Sequence, residues 1–204
     1  MYIPRQFRND DIPAIEAFIR QNAFAQLVST SNGIPLISHI PIEIAVNKSG
    51  VKVLHGHLAR GNPQWKSFTE HPVLAVFQGA HSYISPSWYN HVNVPTWNYI
   101  AVHITGKIRL IDDDELYHSL IELVNKYEAG MAHPVTVEGM SDYVRQQMKG
   151  IVGFEIAMDI IEGKWKLSQN RDEEDFQNII KELEHLKDEN AKRIAEEMKR
   201  LKKT

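Results

Sequence analysis

"AFAQLVSTSNGIPLISHIPIEIAV", residues 23 to 46, is the stretch on which the fold turns. Ala23 to Thr30 reads as one strand. "SNG" at 31–33 is a hairpin turn signal. Ile34 to Val46 reads as a second strand, with apolar and polar residues alternating in its middle portion. A pair of strands joined by so short a link is an antiparallel hairpin.

The same grammar continues outward. "NKSG" at 47–50 turns the chain again, and "VKVLHGHL" at 51–58 is a third strand. "PVLAVFQG" at 72–79 reads as a buried strand, and "HSYISPSWY" at 81–89 as an extended aromatic stretch broken by Pro86. "WNYIAVHITGKIRLI" at 97–111 is the longest strand candidate, and "IVGFEIAMDIIEG" at 151–163 is another.

Helices fall between and after these strands. Asn9 or Asp10 is placed to cap a first helix, with Pro13 in its early turn and Ile15, Phe18 and Ile19 on one face. A short helix is expected from about Asn62 to Glu70. "DDDELYHSLIELVNKYEAG" at 112–130 has an acidic start that suits the helix dipole, a stripe of Leu116, Leu120, Leu123 and Val124, and Gly130 at its end. "SDYVRQQMKG" is a shorter helix with Ser141 as its cap. From Asp172 the chain reads as helical to the end, with Phe176, Ile179, Ile180, Leu183 and Leu186 on one stripe that thins to Ile194, Met198 and Leu201.

Hairpin-linked strands that outnumber the helices predict a mainly β fold with peripheral helices (α+β), a barrel or sandwich rather than a doubly wound sheet. No G-x-G-x-x-G follows the first strand and no P-loop appears, so a dinucleotide-binding Rossmann domain is not expected.

Composition bounds the function. The chain has 204 residues, enough for one substantial core or one core with an appendage. With 23 basic against 26 acidic residues, the net charge of −3 exerts no general pull on nucleic acid or anionic membrane. There is no cysteine, which excludes disulfides, thiolate metal sites and Cys nucleophiles and fits a cytoplasmic setting. "MYIPRQFRNDD" is polar and does not read as a signal peptide. No apolar run approaches the roughly 20 residues of a membrane span.

The stretch richest in chemistry is "HGHLARGNPQW", residues 55–65. An arginine beside a glycine at a strand-to-helix corner offers a cradle for an anion: Gly61 lets the backbone approach closely and Arg60 adds a charge-assisted contact. The other reading is an ordinary turn with a solvated arginine. "YISPSWYNHVNVPTWNY", residues 83–99, holds Tyr83, Trp88, Tyr89, Trp97 and Tyr99, flat side chains suited to a planar heteroaromatic ligand or equally to a core and an interface.

Among ten histidines, His55 and His57 lie two apart on one strand and face the same side. A metal site needs a third ligand, and Glu43, His39, His81 and His103 have no supporting spacing, so hydrogen-bonded strand histidines are expected and no metal. Ser85 and Ser87 lack a G-x-S-x-G elbow. The acidic runs "DDDE" and "DEED" both sit at helix starts, where capping accounts for them. The basic end, Lys199, Arg200, Lys202 and Lys203, complements the dipole of the last helix as readily as it touches DNA phosphates.

The ordered runs "HGHLARGNPQW", "SYISPSWY", "VPTWNYIAVHITGKI" and "KLSQNR", spanning about residues 55–171, resemble the PaiB-type family of FMN-binding negative transcriptional regulators. The resemblance implies an antiparallel FMN-binding split barrel over residues 1–171, with a helical insertion at about 112–149. Residues 172–204 would form a long C-terminal helix packing on the barrel or on a partner subunit. It implies a homodimer with flavin in interface grooves. Carried onto this sequence, it assigns cofactor binding to His57, Leu58, Ala59, Arg60 and Asn62 at the phosphate, Trp97 and Asn98 near the isoalloxazine, and Lys166 and Gln169 at a further polar edge. The chain departs from the related oxidases in supplying one arginine where they place several cations. It implies repression of genes for degradative enzymes and sporulation, with DNA as a partner by resemblance alone, since no basic recognition helix is present. The alternatives are an FMN-dependent oxidoreductase acting on a small molecule, or a haem-binding protein on the same barrel. No residue stands out as a catalytic acid or base.

Overall fold

The hairpin that opens the sequence reading is formed as expected. β2 (Phe24–Ser31) pairs antiparallel with β3 (Ile34–Val46), and Ser31 faces Ile34 across a two-residue turn. Asn32 and Gly33 have φ of 51° and 77°, the doubly left-handed turn whose twist matches that of its flanking strands. The structure is a computed structural model that describes residues 1–68 and 71–201.

β1 (Arg8–Asn9), β4 (Lys52–Ala59), β5 (Val73–Ile84), β6 (Thr96–Gly106), β7 (Ile108–Leu110), β8 (Ile151–Ala157) and β9 (Ile160–Lys166) complete the strands. They are hydrogen-bonded in the order β1-β9-β6-β5-β2-β3-β4-β8-β7, and the sheet is not closed on itself. This is the mainly β, antiparallel architecture that the hairpin grammar predicted. The "WNYIAVHITGKIRLI" run is two strands, interrupted at Lys107, whose N–H is taken by the Asp159 carboxylate at 3.1 Å. "IVGFEIAMDIIEG" is likewise divided between β8 and β9.

The chain divides into two units. One comprises Met1–Phe18, Gln78–Val102 and Glu162–Thr204. It buries Ile15, Ile84, Leu167 and Ile179, with the Phe18 and Trp165 rings 5.4 Å apart. The other comprises Ile19–Phe77 and His103–Ile161. Its interior holds Leu27, Ile42, Leu54, Phe77, Ile104, Phe154 and Ile156, and Phe68 meets Phe154 edge-on.

Among the described residues there are five α-helices. α1 (Ile12–Gln21) buries Ile15, Phe18 and Ile19 as its spacing requires, but Asp11 caps it: Asp11 Oδ1 accepts from the Ala14 N–H, while Asn9 turns the chain just before. α2 (Asp113–Glu128) begins with a capping box between Asp112 and Glu115, and α3 is Ser141–Met148. Of the α2 stripe only Leu116 is fully buried; Leu120, Leu123 and Val124 are half-buried.

The single long C-terminal helix expected from Asp172 is two helices, α4 (Glu173–His185) and α5 (Glu189–Leu201). Leu186 leaves the helical region at φ −69°, ψ 145°, and the Asp188 carboxylate accepts the Asn190 N–H to start the second helix. α5 is not a solvated extension. Ala191, Ile194, Ala195 and Met198 are all fully buried, because the two alanines complete a stripe that counting only large apolar residues leaves broken. Lys202 and Lys203 of the basic end lie outside the described residues.

Candidate functional site

β4 delivers the corner. Its alternation buries Leu54, Gly56 and Leu58 on one side and leaves His55 and His57 half-buried on the other. Gly56 is required here, since a Cβ would meet the Phe154 ring at 2.6 Å. His57 is desolvated, and burial lowers its imidazole below the ordinary value, so it is held neutral. Leu58 belongs to the core, and Ala59 and Arg60 emerge at the surface.

The expected helix after the corner is a 3₁₀ turn, Pro63–Ser67. Asn62 Oδ1 accepts the Gln64 N–H at 3.0 Å, so the turn has its own cap. Asn62 Nδ2 donates to Ser38 Oγ, and Ser38 donates to Gln64 Oε1. Gln64, 2% exposed, donates from Nε2 to the carbonyls of Leu27 and Leu36. The corner is thus fixed by its own polar side chains, and the Gln64 N–H of the turn is taken by its cap.

What faces outward is charge. Arg60 uses Nε and Nη2 on the carbonyls of Lys149 and Ile151, at 2.8 and 2.9 Å. Nη1 has no hydrogen bond to a described residue. Arg60 lines a cavity of about 310 Å³ together with Asp113, Arg145, Met148 and Lys149. Three cations and one acid surround this space. The sequence reading missed Arg145 and Lys149. Their signal was their four-residue spacing at the C-terminal end of α3, with Arg145 in its last turn and Lys149 as the residue that caps it.

The other named residues sit in the other unit. Trp97, on β6, is 51% exposed and stands beside Tyr83 (5.9 Å between centroids, edge-on) and His81 (6.1 Å). Asn98 points to the opposite side of the strand and is fully buried, bonded to Ser168 Oγ at 3.0 Å and near the Met198 sulfur. Lys166 Nζ donates to Thr96 Oγ1, and burial together with the charges of Lys164 and Arg171 lowers its ammonium. Gln169 wraps its own turn, accepting from Leu167 N and donating to the Trp165 carbonyl. Trp97 therefore offers an open ring face, whereas Asn98 and Gln169 are engaged in local structure.

A second polar cavity in the β4-containing unit is lined by Arg20, Glu43, His55, Ser119, Glu122 and Lys126, among others. Within it Lys126 bridges Glu43 at 2.7 Å, and Tyr127 donates to the same carboxylate. Arg109 clamps Glu155 and Glu115, and His55 lies 3.4 Å from Glu155. Arg109, Glu115, Glu155 and His55 form an ion-pair network of the fold.

The comparisons with known proteins bear on this geometry. The family model described as "Putative FMN-binding domain" matches residues 1–159. The Protease synthase and sporulation protein PAI 2 of Bacillus subtilis is 42% identical over 206 residues, covering 100% of this chain and 99% of that protein. Two solved structures share the fold at low identity. The flavocytochrome Anf3 of Azotobacter vinelandii has a TM-score of 0.62 at 16% identity, over 86% of this chain and 78% of that one. An FAD and heme binding protein of Mycobacterium smegmatis has a TM-score of 0.59 at 14% identity, over 78% of this chain and 73% of that one. With a family model over most of its length and a full-length relative, this protein belongs to the FMN-binding, PaiB-type family, and FMN is its cofactor.

Proposed function

We propose that the protein takes the FMN phosphate at the Arg60 corner and acts as a PaiB-type negative regulator of transcription through a flavin-linked signal. The observation that carries the reading is the cavity where Arg60, Arg145 and Lys149 outnumber Asp113. A phosphate monoester near neutral pH carries about two negative charges, and this donor set fits it. Arg60 Nη1 is left for such an oxygen, because the rest of the guanidinium is anchored to backbone. Within its own unit, the half-exposed Trp97 ring, with Tyr83 and His81 beside it, is a flat surface of the kind on which planar heteroaromatic rings stack.

Bound FMN supplies hydride or single-electron transfer. The chain's own contribution is to bind and orient, with His57 kept neutral beside the corner. Regulation is supported by the full-length likeness to a protein named for protease synthesis and sporulation. An indirect route is supported by α5, where Lys192, Lys199 and Arg200 are each paired with a glutamate and do not form an open basic face. A homodimer is supported by the apolar side chains that the β2–β3 hairpin exposes: Phe24 at 69%, Ile34 at 65% and Ile37 at 57%.

The test is the absorption spectrum of the purified protein, before and after FMN is added, followed by promoter binding with oxidised and reduced flavin. Stoichiometric FMN binding with promoter occupancy, direct or through a partner protein, that changes with flavin state supports the reading. Catalytic turnover with NAD(P)H and a small-molecule acceptor, with no effect on promoters, replaces it with an FMN-dependent oxidoreductase. A Soret band on adding haem, with no flavin uptake, replaces it with the haem-binding alternative.

A further inference from the structure

Asp175 is a carboxylate with no exposed surface at the start of α4, and one of its oxygens is unsatisfied. Oδ1 accepts the Asn90 N–H at 2.8 Å. Oδ2 has no hydrogen-bond donor among the described residues. An ionised carboxylate oxygen removed from water without a partner is costly, and proteins seldom retain one without a counter-charge.

What Oδ2 faces is a set of metal-ligand atoms. His91 Nδ1 lies 3.3 Å from it, and one ligand atom each from His91, Asp172 and Asp175 fall within 4.8 Å of one another. Ligands about 2.0–2.1 Å from a tetrahedral Zn²⁺ stand roughly 3.3 Å apart, which matches the His91–Asp175 separation. Asn90 Oδ1 lies 2.8 Å from His91 Nδ1 and adds a neutral oxygen to the group. Asp172 already uses Oδ1 to cap the Asp175 N–H, which leaves its second oxygen for another role.

We propose that His91, Asp172 and Asp175 bind a divalent ion of the Zn²⁺ class. One imidazole with two carboxylates is a borderline donor set that suits first-row transition ions better than Ca²⁺ or Mg²⁺. Binding replaces the proton that Nδ1 otherwise shares with Asn90 Oδ1. The ion ties the segment after the 3₁₀ turn Pro86–Trp88 to the N-terminus of α4, adding to the existing bonds from Asn90 to Asp175 and Glu174. It is independent of the flavin reading, since none of these residues belongs to the Arg60 corner.

The experiment titrates chelator-treated, tag-free full-length protein with Co²⁺ and follows visible d–d absorption, then displaces Co²⁺ with Zn²⁺ and measures the melting temperature. The expected result is saturation at one ion per chain and a higher melting temperature with Zn²⁺ but not Mg²⁺. His91→Ala and Asp172→Asn should each weaken binding by about 10- to 100-fold. His91 is half exposed, and asparagine preserves the helix cap, so both variants keep the fold, which circular dichroism checks. Identical Co²⁺ titrations for the wild type and the double variant, or no d–d bands in the wild type, overturn the proposal.

Discussion

Arg60 reaches across from the end of β4 and donates to the carbonyls of Lys149 and Ile151, joining residues about ninety positions apart in the chain. This pins the α3–β8 junction to the corner and sets Arg60 and Lys149 on the wall of one cavity. Arg60→Ala is expected to weaken FMN binding by about 1–3 kcal/mol, through loss of a charge-assisted contact. Arg145→Ala and Lys149→Ala, both exposed, should each cost about 0.5–1 kcal/mol. Fluorescence titration of bound flavin measures all three. Unchanged affinity across the series places the phosphate elsewhere.

Gln64 is nearly sealed from solvent and joins three chain segments by hydrogen bonds to Leu27, Leu36 and Ser38. Gln64→Ala leaves the buried Leu27 carbonyl and the half-buried Leu36 carbonyl short of a donor. The expected loss is about 2–3 kcal/mol of stability, read as a lower urea midpoint with an unchanged m-value. A loss within experimental error would mean that the corner is held by packing alone.

The Arg109 cluster makes stability sensitive to acid. The Arg109 hydrogen bond holds Glu115 below the ordinary carboxylate value. Burial pushes Glu155 up, but hydrogen bonds from Arg109 and His55 outweigh it, and its carboxyl also stays low. Both groups are depressed in the folded state, so their contribution is complete above the unfolded value near 4.5 and is lost as pH falls through the folded values. Arg109→Ala should cost about 2 kcal/mol at neutral pH and flatten the melting-temperature profile below pH 4.5. A profile parallel to the wild type removes the cluster from the acid response.

His57 acts in a higher window. Its imidazole is depressed by burial from 6.5, so the unfolded chain takes up a proton first as pH falls. Its contribution is complete above 6.5 and declines as pH drops toward the folded value. His57→Gln should therefore reduce the fall in melting temperature just below that pH. Calorimetry of the two proteins over this interval decides it, and equal slopes would contradict the buried, neutral histidine.

Gly106 ends β6 where a Cβ would lie 1.6 Å from the Ala157 carbonyl oxygen. A backbone atom cannot yield as a side chain can, so Gly106→Ala must separate the two segments. The expected cost is about 3 kcal/mol or more, visible in chemical denaturation. A variant as stable as the wild type would show that the close approach is not a requirement of the fold.

The strands were legible because their signals are local. Alternation and the Asn32–Gly33 turn require φ > 0 and a period of two, whatever the rest of the chain does. The caps at Asp112 and Asp172 were legible for the same reason. The break at Leu186 was missed because helix propensity across residues 183–190 is continuous. The buried face of α5 was missed because Ala191 and Ala195 carry little hydrophobic weight until something packs on them.

The candidate site divides along the same line. By itself the sequence determined the antiparallel strands, the Arg60 corner as a place of interest and the family resemblance, since each is written in contiguous residues. Only the tertiary structure decided that Asn62 and Gln64 close the corner, that Asn98 faces inward, and that Arg145 and Lys149 line one cavity with Arg60. Charge density in a cavity and the partner of a buried polar group depend on side chains that meet through space, and separation along the chain carries no record of those distances.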